Sequence, residues 1–377
     1  MKDLRKRIVK RTRRLVVKVG SALVADWPSG EDSRIFVNLA VEMSALKKER
    51  GLEFVIVSSG AIALGMKRLG LTARPSTIPE RQAVAALGQG ALMSRYEAAF
   101  AEKGALVAQV LLTHDDIGSR KRFLNARNTL FTLLKFGITP VINENDTVAV
   151  EEIKFGDNDK LSALVTNLAE ADLFVVLTNV DGLHDANPMH NPSAKRIPLV
   201  EDVDRMDLVR LTGQTSALGT GGMASKIEAA RTAAHFGIPT IVANGYASDI
   251  ITRLMSAEDV GTLFLPKEDR LTSWKHWIAF SSRPIGVIKV DDGAMDALLN
   301  KGKSLLPSGI KAIDGSFDSG EVVRCVDSSG KEFARGVVNY GSTEIARIKG
   351  VKTSEVEAVL GYKVYDEVIH RDNLVIV

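Results

Sequence analysis

Two lysines stand where folding alone explains them poorly. Lys18 interrupts the apolar run "RLVVKVGS", where a buried cation is costly without a partner. Gly20 follows it and lets backbone come close to a ligand. Lys226 closes "GTGGMASK", residues 219–226, ahead of the helical spacing of "MASKIEAARTAAHFG". A helix N-terminus carries about half a positive charge, so a cation in its first turn is disfavoured unless an anion lies between them. The free amides of a glycine-rich turn at a helix start form a phosphate site. An edge-strand lysine reaching water, or a plain glycine-rich turn, would account for either feature singly. Two lysines and two amide-rich turns together point to a phosphoryl group.

A second cluster supplies acids and amides. "NEND" and "GDNDKLSALV" place Asp146, Asp157 and Asp159 with Asn143, Asn145 and Asn158 inside one short stretch. Capping a helix by Asp157 or Asn158 uses one side chain. The excess suits a substrate ammonium or carboxylate, with a carboxylate left to hold the lysines or a metal. No histidine or cysteine nucleophile is evident. Phosphoryl transfer is chiefly positioning and charge stabilisation, so lysines and amides can perform most of it. A carboxylate acceptor needs no general base, because a pKa of about 4.3 leaves it ionised at neutral pH. Magnesium is then expected on the nucleotide phosphates. "ALLNKGKS", residues 297–304, ends like a P-loop but lacks its first glycine and a leading strand; it reads as a solvated turn.

The elements that must position these groups are visible in the patterning. Val/Ile-rich runs "RLVVKVG", "EFVIVSS", "GITPVIN", "DLFVVLT" and "IPTIVAN" alternate with helical spacing up to about residue 265. This predicts an α/β three-layer sandwich on a mainly parallel sheet. The runs end in "KVGS", "SSGA", "NEND", "TNVDG" and "ANG", and open parallel sheets bind ligands beyond those ends. The expected division is an α/β domain over 1–265, with a basic leader over 1–13, a linker over 266–280 and a small β-rich module over 281–377. In that module "RPIGVIKVDDG", "EVVRCVDSSGKEFARGVVNYGSTEIARIKG" and "YKVYDEVIH" read as short strands between turns.

Composition narrows the function class. The chain has 377 residues, 45% hydrophobic and 25% charged, enough for two or three packed domains. Of its net +3, residues 1–14 carry +7 and the other 363 carry −4. The basic start reads as a solvated, partly frayed leader rather than a polyanion-binding arm. Neither a signal peptide nor an apolar span appears, so the expected compartment is the cytoplasm. One cysteine, Cys325, and six scattered histidines argue against disulfide, redox or structural zinc chemistry.

"VVKVGSALV", "VIVSSGAIALG", "VINENDTVA", "KFGDNDKLSALV" and "GTGGMASKIEAA", in this order, resemble the glutamate 5-kinase family of the amino-acid kinase superfamily over residues 14 to about 265. The C-terminal module resembles the PUA domain, which implies a small β-rich barrel over 281–377 behind an amino-acid kinase domain over 1–265 in the sequence. The resemblance implies ATP-dependent phosphorylation of the γ-carboxylate of L-glutamate, the first step of proline biosynthesis, in a dimer or tetramer inhibited by proline. It also implies roles for residues. Lys18 and Lys226 stabilise the transferring group and Asp159 organises them. Ser59, Asp146 and Asn158 bind glutamate. Lys18, Thr178, Asn179, Thr220, Gly221, Gly222, Met223, Ala224, Ser225 and Lys226 bind the nucleotide. Asn179 and His184 stand where the family commonly has Asp and Tyr. The alternatives are a kinase of the same superfamily acting on aspartate, acetylglutamate, carbamate or UMP, and an RNA-binding protein working through the PUA-like module. Residues 281–360 hold eleven Lys/Arg against eleven Asp/Glu, and this neutral balance weighs against RNA.

Overall fold

The structure is a computed structural model that describes residues 2–25, 34–148, 158–186, 191, 193–206, 222–267, 275, 278–279 and 284–377. The chain forms two compact units, one of residues 1–116 and 121–270, the other of 117–120 and 271–377.

In the first unit the strands are β1 (Arg14–Val19), β2 (Glu53–Ser58), β3 (Val107–Leu112), β4 (Thr139–Glu144), β5 (Leu173–Thr178), β6 (Leu199–Val200), β7 (Thr240–Asn244) and β8 (Thr262–Phe264). Their order in one sheet is β3-β4-β2-β1-β5-β7-β8-β6. Pairing is parallel throughout except where β8 runs against β7. All five apolar runs predicted as strands are strands. β3 was not predicted. It lies at the sheet edge, partly covered, and Gln109 in its middle is exposed. From β1 the chain builds leftward to β2 and β4, then rightward to β5 and β7, so the order reverses at β1. In such sheets the ligand crevice opens at the reversal.

The helices are α1 (Lys2–Arg11), α2 (Ser21–Ala25), α3 (Arg34–Arg50), α4 (Ala61–Leu69), α5 (Ile78–Ala101), α6 (His114–Gly118), α7 (Arg120–Lys135), α8 (Asn158–Leu168), α9 (Met223–His235) and α10 (Ile250–Met255). Ile35, Phe36, Leu39, Ala40, Met43 and Leu46 make the buried stripe of α3. Phe36 meets the buried Tyr96 of α5 edge-on at 4.7 Å. A capping box between Thr77 and Glu80 starts α5. Helices α4 and α5 cross so closely that a Cβ on Gly88 would stand 1.7 Å from the Ala61 carbonyl oxygen. Only glycine permits that approach, and it carries α5 down beside the carboxyl ends of β2 and β4.

The basic start departs from expectation. It is a docked helix, not a frayed leader: Val9 and Arg5 lie one turn apart and are both buried. The Arg5 guanidinium donates to the carbonyls of Val260 (2.9 Å), Gly261 (3.1 Å), Pro198 (3.2 Å) and Glu258 (3.3 Å). It also pairs with Asp259 at 3.3 Å.

The second unit holds a five-stranded sheet of β9 (Gly286–Val290), β10 (Ile310–Asp314), β11 (Val322–Val326), β12 (Glu332–Val337) and β13 (Leu374–Ile376), ordered β10-β9-β11-β12-β13. Its own core includes Ile288, Phe317, Cys325, Tyr340 and Ile345. Burial, aided by nearby Glu332, pushes the Cys325 thiol up to about 12, which keeps it protonated and inert. Three readings are corrected here. "STEIARI" is a helix, started by the Glu344 carboxylate accepting the Gly341 N–H. Residues 362–370 contain no strand beyond one bridge at Ile369, and the last strand is β13. "ALLNKGKS" is the end of a helix, Asp292–Lys301, closed by Gly302 in the left-handed region, rather than a turn throughout.

Candidate functional site

Lys18 lies in the central strand β1, level with Val57 on one side and Val176 on the other. Its Nζ is 2.5 Å from Asp159 Oδ1, at the start of α8. Lys226 Nζ, from the first turn of α9, is 3.3 Å from Asp159 Oδ2. The Ser225 hydroxyl donates to the same oxygen at 2.6 Å. Lys18, Asp159 and Lys226 are 5%, 2% and 5% exposed. Burial alone would raise the Asp159 carboxyl, but the two ammonium groups, with hydrogen bonds from Lys18 and Ser225, hold it down at about 2. Lys226 therefore has an anion within the chain. Among the described residues, two ammonium groups thus share one carboxylate at the mouth of α9.

Backbone donors are also present at that mouth. Gly222 is the N-cap, extended and without a side-chain cap bond. The first N–H groups of α9, at Met223, Ala224 and Ser225, have no acceptor within the helix. Thr220 and Gly221 lie outside the described residues, as does Asp157. Across the rim, Gly20 N–H donates to the Leu177 carbonyl at 3.1 Å and Gly245 N–H to that of Thr178 at 2.8 Å. The buried Thr178 hydroxyl donates to Asn179 Oδ1 at 3.3 Å. His184 Nε2 sits 3.3 Å from Asp181.

Beside the lysines a cavity of about 280 Å³ opens at the ends of β2 and β4. Ser59, Asn143, Asp146 and Asn158 line it, together with Arg74 and Glu144. Asn158 Nδ2 donates to Ser59 Oγ at 3.0 Å and to Asn143 Oδ1 at 2.9 Å. Burial lifts the Asp146 carboxyl to about 6, against the pull of Arg74. Gly60 holds the turn into α4 at φ +105°, and a Cβ there would strike Val24 at 2.6 Å. Asn145 serves its own turn, accepting from the Thr147 hydroxyl at 2.6 Å. Sequence reasoning missed Arg74, which sits in the α4–α5 loop with no motif around it. Asn158 faces the cavity and the next residue, Asp159, holds the lysines, so the two clusters join at one helix start.

Residues 13–244 match the amino acid kinase family and residues 286–360 the PUA domain. The chain belongs to the amino acid kinase family. Its similarity runs end to end to proteins named glutamate 5-kinase. That of Pelobacter propionicus is 51% identical over 373 residues, 99% of this chain and 100% of the relative. That of Geobacter sulfurreducens is 50% identical over the same shares, and that of Syntrophotalea carbinolica 50% over 374 residues. The family makes this chain a kinase, with a PUA domain following in the sequence. No helix among the described residues is long and apolar enough to cross a membrane.

Proposed function

We propose that this protein transfers the γ-phosphoryl group of ATP to the γ-carboxylate of L-glutamate. The bond between the γ-phosphorus and the β-γ bridging oxygen breaks, a carboxylate oxygen bonds to that phosphorus, and L-glutamyl 5-phosphate and ADP leave. No proton is transferred, which agrees with a site built on lysines and amides. One observation carries the reading: the buried Lys18–Asp159–Lys226 cluster adjoins a cavity of acids and amides through consecutive residues of α8. Similarity to the named relatives supports the choice of acceptor.

In this reading Lys18 and Lys226 neutralise charge developing on the transferring group, and Asp159 fixes their separation. Ser59, Asp146 and Asn158 take the glutamate, with Asp146 as counter-ion to its ammonium. Thr178, Asn179 and the segment from Thr220 to Lys226 take the nucleotide. The described residues contain no group of three or more acids, histidines or cysteines fit to hold a metal, and both Asp159 oxygens already face lysine or serine. The magnesium that such a reaction uses is therefore assigned to the nucleotide phosphates, where it offsets their charge.

The wider reading is a cytoplasmic enzyme opening proline biosynthesis, a dimer or tetramer inhibited by proline, with its chemistry in residues 1–265 and a PUA-like appendage in 281–377. The test is a panel of acceptors with Mg-ATP, trapping acyl phosphate with hydroxylamine. Hydroxamate formed with glutamate but not with aspartate, acetylglutamate or carbamate is the expected result. Hydroxamate or ADP dependent on another acceptor would reassign the substrate.

A further inference from the structure

A line of four side-chain amides runs from the sheet edge into the cavity. Gln89 of α5 donates from Nε2 to Gln109 Oε1 on β3 at 2.9 Å. Asn143 donates from Nδ2 to Gln89 Oε1 at 2.7 Å. Asn158 donates from Nδ2 to Asn143 Oδ1 at 2.9 Å. The two middle amides, Gln89 and Asn143, each offer the oxygen to one neighbour and the nitrogen to the other, so reversing one conflicts with the next. The sense of the line is not arbitrary. At its inner end Asn158 Nδ2 also approaches the Ser58 carbonyl at 3.4 Å, and a carbonyl can only accept. With its nitrogen committed, Asn158 is left with Oδ1, which is buried and has no hydrogen-bond partner among the described residues.

We infer that Gln89 is a positioning residue for the acceptor substrate, which sets the orientation of the Asn143 and Asn158 amides so that Asn158 keeps its oxygen for a substrate donor. This rests on the proposed reading of the cavity as the glutamate site, whose α-ammonium is the donor required. Gln89 lies outside the cavity lining and acts only through Asn143. The close crossing at Gly88 is what brings it within reach.

The test compares steady-state constants of the full-length protein for glutamate and for ATP across four variants. Gln89→Met keeps the shape and removes the acceptor of Asn143. It is expected to raise KM for glutamate about tenfold, the scale for a buried polar group losing its partner, with KM for ATP unchanged. Gln109→Leu is expected to raise it less. The decisive pair is Gln109→Glu and Gln109→Lys, on an exposed edge-strand position. Glutamate at 109 still accepts from Gln89 and preserves the sense of the line, so KM for glutamate stays close to that of the parent. Lysine there can only donate, drives the Gln89 amide to reverse, and raises KM. Simple charge attraction on an anionic substrate predicts the opposite order.

Equal effects of the two Gln109 variants, the charge-attraction order, or an unchanged KM in Gln89→Met would overturn the inference. A parent enzyme inactive with glutamate would instead overturn the function proposed above.

Discussion

Lys18 Nζ and Asp159 Oδ1 lie 2.5 Å apart, both buried, and the other oxygen of that carboxylate serves Lys226. Removal of either lysine leaves Asp159 still paired, so Lys18→Ala and Lys226→Ala should fold. Each is expected to lower kcat by roughly 10²-fold or more, the cost of losing a transition-state charge contact. Turnover assays beside circular dichroism separate the two effects, and near-parental kcat in a folded variant would remove that lysine from the chemistry.

Asp159→Asn behaves differently, because it leaves two buried ammonium groups facing one another. It should lose both activity and stability. The acid limb gives the sign. The folded carboxyl sits at about 2, below its ordinary value of 3.8, so its stabilisation is present above the ordinary value and is lost as pH falls through the folded one. Urea unfolding between pH 5 and pH 2 should show a steeper decline in the parent than in Asp159→Asn. Parallel curves would contradict the role given to this ion pair.

Asp146 runs the other way. Its carboxyl is raised to about 6, so the ionised form that would hold an ammonium is lost just below neutrality. The stabilisation linked to its raised pKa is complete below 3.8 and fades as pH rises through about 6. For activity, kcat/KM for glutamate should fall as pH drops below about 6, while KM for ATP changes little. In Asp146→Asn that limb should vanish, on top of a higher KM for glutamate. Asn158→Ala is expected to raise the same KM without adding a pH limb. An intact acid limb in Asp146→Asn would assign it to another group.

Arg5 anchors α1 through four carbonyls and Asp259. Arg5→Ala is expected to cost roughly 2–4 kcal/mol of stability, since it strips buried acceptors of charged donors. Urea denaturation measures it. Arg5→Lys should recover only part, lacking the planar fork. A loss within the scatter of surface substitutions would return α1 to the status of a solvated leader.

The proposed division of the chain is tested by truncation, with one adjustment. Lys267 donates its N–H to the Ala234 carbonyl at 3.0 Å and its ammonium contacts Asp204, so a cut at 265 severs contacts that a cut at 270 keeps. The 1–270 fragment is expected to be more stable than 1–265 and to release ADP in response to glutamate. A folded 1–270 fragment without activity would place part of the active assembly in the C-terminal residues.

The lysine centre was legible because apolar β1 isolates Lys18 and a glycine-rich turn marks Lys226, and parallel strands carry both ends to one rim. The acid cluster was legible because it holds more carboxylates than a helix cap needs, but only the family resemblance singled out Asp159 within it. The start of the chain was misread because charge counting ignores spacing: Arg5 and Val9 share a helix face, and a guanidinium over exposed carbonyl ends can be buried. Gln89 was not legible. It sits in a long helix, where a polar residue reads as solvent-facing, and only the helix crossing and the strand order place it beside Asn143.

The reversal of strand order at β1 has a consequence for how such an enzyme can change. Apart from Asn158 at the start of α8, the acceptor assignments, from Ser59 through Gln89, Gln109 and Asn143, belong to β2, β3, β4 and the helix α5 on one flank. The nucleotide assignments from Thr178 to Lys226 hang from the other, and only β1 and the first turn of α8 belong to both. Substitutions that reshape the acceptor flank can thus accumulate without retuning the nucleotide flank. Directed evolution toward a new carboxylate has a natural boundary for its library in residues 59–109 and 139–148, with Lys18 and Asp159 left untouched.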